Sequence, residues 1–119
     1  MKHLSASVLS ASDATSQTSS AIDCVEMFSA SFQTFFGDAT AAGTMQIQAS
    51  NDVCHTQNLP ATFTPTNWTN IASATSTVTA GASTIILIPQ VTFRWMRVVF
   101  TSSAAGSTTI NTNIFALSY

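Results

Sequence analysis

The sequence predicts an all-β fold, a single-domain antiparallel β-sandwich of jelly-roll-like form, and three observations predict it. Apolar and polar residues alternate with period two in several short runs, and Gly, Pro and Asn punctuate those runs at roughly ten-residue spacing. No window of about a dozen residues carries a capped apolar face at i, i+3, i+4 and i+7, so no helix is predicted. The 119 residues suit one domain spanning 1–119, with no internal repeat and no linker.

Each element follows from its pattern. Leu4, Ala6 and Val8 alternate with Ser5 and Ser7, which predicts a first edge strand ahead of a polar loop. Residues 1–20 therefore read as an N-terminal arm, or as an edge strand plus loop, that a neighbouring subunit would hold in place. From Ile22 to Phe36, Phe28, Ala30, Phe32 and Thr34 share one face and Ser29, Ser31, Gln33 and Phe35 the other. Turn residues over 37–43 then predict a hairpin to a strand in which Met45, Ile47 and Ala49 alternate with Gln46, Gln48 and Ser50.

Residues 51–67 hold Pro60 and Pro65 without periodicity and read as a long contact loop. Further strands are expected at 76–79 and at Thr84–Ile88, the latter an apolar run of the kind covered on both faces at the centre of a sandwich. The last two, 92–101 and 108–119, are expected to pair through the small-residue link 102–107. Ile47, Trp95, Val99 and Ile114 are the expected core residues, with Arg97 as the arginine on the interior side. That arginine would need a carboxylate such as Asp52, or loop carbonyls, as partner.

Composition narrows the function classes. Charged residues are 7% of the chain, against about 25% in ordinary soluble domains, while the hydrophobic share of 45% is normal. Ser and Thr, at roughly a third of the sequence, supply the polar surface. Eight Phe and two Trp separate the chain from disordered Ser/Thr-rich segments. Lys2, Arg94 and Arg97 are its only cations, too few for the clustered phosphate contacts of DNA or RNA binding. Apolar runs are too short for a signal segment or a membrane span.

The residues that carry chemistry are sparse. Cys24 and Cys54 lack metal-ligand or redox spacing and read as buried free thiols, with a disulfide as the alternative. Asp13, Asp23, Glu26, Asp38 and Asp52 form no acid–base pairing, and His3 and His55 are the only imidazoles. We expect no catalytic centre, no metal and no cofactor. Asn67-Trp68-Thr69 matches a glycosylation acceptor, a triplet that also arises by chance. Trp68 and Trp95 are candidate sugar-stacking rings or, more simply, core residues.

Three segments, Gly43–Asp52 (GTMQIQASND), Trp68–Ile71 (WTNI) and Phe93–Thr101 (FRWMRVVFT), together resemble small β-sandwich virion structural proteins of tailed bacteriophages. The resemblance covers most of 43–119. It implies a capsid decoration or head–tail subunit, assembled in the host cytoplasm, whose partners are its own copies and other virion proteins such as the major capsid protein. Phe28, Phe35, Phe36, Phe63 and Trp68 are the expected interface residues. A looser similarity links the chain to discoidin-like jelly rolls and implies, as the alternative, a glycan-binding adhesion module. The chain lacks that family's long N-terminal half and its calcium loop.

Overall fold

The computed structural model describes residues 2–12, 16–36, 43–53, 63–77, 81–103 and 109–118. Among the described residues, nine strands form two antiparallel sheets: β1 (Lys2–Ser12), β2 (Gln17–Thr18), β3 (Ile22–Asp23), β4 (Met27–Phe36), β5 (Gly43–Ser50), β6 (Thr69–Thr77), β7 (Ser83–Ile88), β8 (Trp95–Ser102) and β9 (Thr109–Ser118). Sheet A has the order β1-β9-β4-β7 and sheet B the order β2-β8-β5-β6, with β3 also on β8. Counting β2 and β3 as one interrupted strand gives the four-plus-four double sheet of a jelly roll.

The interruption has a local cause. Between β2 and β3 the Ser19 backbone N–H donates to the Val98 carbonyl while its hydroxyl accepts the Val98 N–H, both at 2.9 Å. One side chain thus continues a ladder that the bent backbone leaves incomplete.

The core lies between the sheets. Sheet A contributes Ala30, Phe32, Ile86, Ile88, Ile110, Ile114 and Ala116, and sheet B contributes Met45, Ile47, Met96, Val98 and Phe100, all buried. Thr34 and Thr112, opposite each other on β4 and β9, are buried among them and share a 2.8 Å hydroxyl–hydroxyl bond, so neither polar group is left without a partner. Ile47 and Ile114 therefore occupy the core. Trp95, Arg97 and Val99 do not: β8 turns Met96, Val98 and Phe100 inward, and alternation sends the other three to the outer face, half-buried.

The strands depart from the expectation in four places. β4 and β5 are not a hairpin, nor are β8 and β9 a pair; each of these successive strands lies in the opposite sheet. Small-residue links serve as arches between stacked sheets as well as hairpin turns, because alternation reports a strand's faces and not its neighbour. β7 is an edge strand of sheet A with Ile85 and Leu87 exposed, rather than a central strand covered on both faces. β1 pairs with β9 along its length within the same chain, so residues 2–12 need no neighbouring subunit to hold them.

Two local features shape sheet B. Gly43 has φ +144°, and a Cβ there would meet the Thr101 carbonyl oxygen at 2.1 Å, so no other residue fits. In β6, Ile71–Ala74 bulge opposite the single β5 residue Ile47, with Ser73 left-handed at φ 64°. The Gln46 side-chain amide fills that bulge, donating to the carbonyls of Ile71 and Ala74 at 3.1 Å each.

Ile47→Ala is expected to lower unfolding free energy by about 2–5 kcal/mol, as truncation in a packed core does, and Gly43→Ala by more than about 1 kcal/mol. Val99→Ala on the outer face should cost under about 1 kcal/mol. Chemical denaturation of the three variants checks the order; a larger loss for Val99→Ala than for Ile47→Ala would reverse the assigned parity of β8.

Candidate functional site

Two surfaces stand out, one on each sheet. The outer face of sheet A is set by the parity of its core. With Phe32, Thr34, Ile114 and Ile86 turned inward, Ser31, Gln33 and Phe35 of β4, Asn113 and Phe115 of β9, and Ile85 and Leu87 of β7 turn outward. Ile85, Leu87 and Phe115 are 59%, 69% and 47% exposed, and Phe35 is 49% exposed. Ser31 sits between Phe115 and Leu87 in register, so a trough runs along β4 between the larger side chains. His3 stacks on Phe115 at 5.8 Å between centroids and 23° between planes. Large apolar side chains gathered exposed on one face, among polar ones, make that face a candidate contact surface.

The second surface is polar and lies at the end of sheet B where the three motif segments meet. The Asp52 carboxylate accepts the backbone N–H groups of Thr66 and Asn67 at 2.7 and 2.8 Å and the Asn67 side-chain amide at 3.1 Å. Its carbonyl accepts the Trp95 indole N–H at 3.2 Å, and the neighbouring Asn51 side-chain oxygen accepts the Arg94 N–H at 2.9 Å. The hydrogen bonds from Asn67, then those from Thr66, hold the Asp52 carboxyl below its ordinary value of 3.8.

The arginines complete this end. Arg94 pairs with Asp23 and lies over the Trp95 ring at 4.2 Å. Arg97 lies over Trp68 at 4.4 Å and donates to the Gln48 side-chain oxygen at 2.7 Å; Gln48 in turn donates to Asn70 at 2.9 Å. Neither arginine enters the core, and neither bridges to Asp52, because Arg94 precedes β8 and Arg97 has outward parity. Trp68 gives its indole N–H to the Pro65 carbonyl and carries Arg97 over its ring.

The other expected site residues are spread out. Phe28 is half-buried, and Phe63 is half-buried with its ring 6.0 Å from that of Trp95; the side chain of Phe36 lies outside the described set, as do Asp13, Asp38, Cys54 and His55. Cys24 is a free thiol, 2% exposed; burial, then the Asp23 charge, pushes it up to about 12. Ile85, Leu87 and Phe115 were missed because an unbroken apolar run reads as doubly covered, although Phe115 falls out of phase with Ile114 and Ala116. No protein-family model matches the chain, and no curated protein matches it in sequence.

Two measurements check this chemistry. A depressed carboxyl stabilises the fold above its unfolded value and loses that contribution as pH falls through the folded one. The Asn67 side-chain amide resonance should therefore titrate with a midpoint below 3.8; a midpoint at or above it would mean that the latch is open in solution. In a Cys54→Ser variant, Cys24 should resist a disulfide reagent at about pH 8 and react once the chain is denatured. Ready reaction of the native variant would place the thiol at the surface.

Proposed function

We propose that this chain is a bacteriophage virion structural protein, a capsid decoration or head–tail subunit, that works by packing the outer face of sheet A against other copies of itself and other virion proteins. The observation that carries the reading is the exposed apolar face of Ile85, Leu87, Phe115 and Phe35, whose intervening positions are Ser, Asn and Gln. Burying such a face desolvates no ion, which is the expensive step at an interface.

A second copy is the occupant that electrostatics favours least resistance to. With a net charge of −2 spread over 119 residues, copies repel one another weakly. Jelly rolls serve both as capsid and as lectin domains, so the fold agrees with this reading without deciding it. The order of the three motif segments, which resembles that of phage virion proteins, adds support.

Sedimentation equilibrium over a concentration series tests the reading. The chain should self-associate with little dependence on salt, since no charge pair drives contact. An Ile85→Asp/Leu87→Asp double variant should be monomeric with an unchanged melting temperature, because both side chains are exposed in the monomer. A parent chain that stays monomeric throughout, or a double variant that still associates, would remove sheet A as the assembly face.

A further inference from the structure

We propose that β7 is a docking edge: the β7 strands of two copies of this chain pair antiparallel, so that sheet A runs without interruption through both. A strand at the edge of a sheet points alternate backbone N–H and C=O groups away from its one neighbour, which makes it a template for another chain. Proteins blunt such edges with charges, bulges, prolines or very short strands.

Three of the four edges of this sandwich are blunted in that way. β1 is bulged between Ser7 and Leu9 and begins at Lys2. β6 carries the Ile71–Ala74 bulge and the left-handed Ser73. β2 and β3 have two residues each, and β3 ends at Asp23, which pairs with Arg94. β7 has none of these devices. It lies in unbroken register against β4 from Ser83 to Ile88 and holds no charge and no proline. Its Thr84, Ile85, Ile86 and Ile88 are β-branched, the side-chain type that suits a strand. Among the described residues, no strand pairs with its other side.

The occupant is a second copy because β7 complements itself. A continued sheet must set inward residues against inward ones and outward against outward. The antiparallel register centred on Ile86 does so, and it places Ile85 against Leu87 of the second copy and Leu87 against its Ile85. Ile86 and Ile88 are already buried within each copy, so pairing covers the two exposed side chains and the open backbone groups together, with no charge on either strand. Pairing β7 with β1 of the next copy would instead meet Lys2 and the β1 bulge. A contact the length of Thr84–Ile88 belongs to the weak, concentration-dependent class. This deepens the reading of a self-associating chain by naming the element through which two copies meet. It requires the β7 backbone and not Phe115, which lies two strands away on β9.

Amide hydrogen exchange of the full chain, read residue by residue at low and at high concentration, tests the pairing. The alternate β7 amides that point away from β4 should exchange fast in dilute solution and slow by more than about tenfold as the chain associates, while the β1 edge is unchanged. Phe115→Ser, which removes an apolar ring from the outer face, should keep that protection, and protection kept there shows the edge pairing whether or not the outer face packs. In a Cys54→Ser background, where the remaining native thiol Cys24 is buried, an equimolar mixture of Ile85→Cys and Leu87→Cys chains should form disulfide-linked dimers faster than either chain alone. The proposal is overturned if the chain associates while the β7 amides stay fast, a result that leaves packing of the outer face standing. It is overturned as well if β1 becomes protected together with β7, which marks head-to-tail pairing, or if the mixture crosslinks no faster than its components. A chain that stays monomeric at every concentration overturns both this pairing and the packing of the outer face between copies.

Discussion

The structure depends on one constraint, the parity of its four central strands. β4 and β9 in one sheet and β5 and β8 in the other each send alternate residues into the space between the sheets. A slip of one residue would put Ser31 or Gln33 where Phe32 packs and Gln46 or Gln48 where Ile47 packs, and on β8 it would turn Arg97 inward with Trp95 and Val99. The buried Thr34–Thr112 pair sharpens the constraint, because each hydroxyl is satisfied only when β4 and β9 are in register. The outward residues then have no freedom of position. Phe115, Ile85 and Leu87 face outward because their neighbours in sequence are needed within.

The same parity explains what was legible in the sequence. Ala30, Phe32 and Thr34, and Met45, Ile47 and Ala49, alternate cleanly with polar residues, and both faces of those strands follow from the pattern. On β8 the pattern offers two apolar sets, Trp95 and Val99 against Met96, Val98 and Phe100, and alternation alone does not choose between them; the structure turns the second set inward. Arg97 followed Trp95 outward. Pairing partners were less legible still, since a strand's alternation is unaffected by whether its link is a hairpin or an arch. The polar end of sheet B depends on contacts between residues far apart in the chain, such as Arg94 with Asp23 and Asp52 with Asn67, which no local pattern encodes.

A chain so poor in charge uses its charged groups in the described region largely to build. Both arginines cover tryptophan rings, and Asp52 fastens the 66–67 segment. Segments 43–52, 68–71 and 93–101 supply this network, together with Asp23 and the 65–67 segment, so their residue types answer first to loop geometry. The surfaces that remain are neutral. On our proposal sheet A packs against protein.

The central claim is that the apolar outer face of sheet A is covered by protein in the assembled state. Carbene footprinting of the chain at low and at high concentration, read residue by residue, tests it most directly. The account predicts that labelling of Ile85, Leu87 and Phe115 falls on assembly while Asn70 and Ala72 stay labelled. Protection confined to sheet B, or unchanged labelling of sheet A, would contradict it.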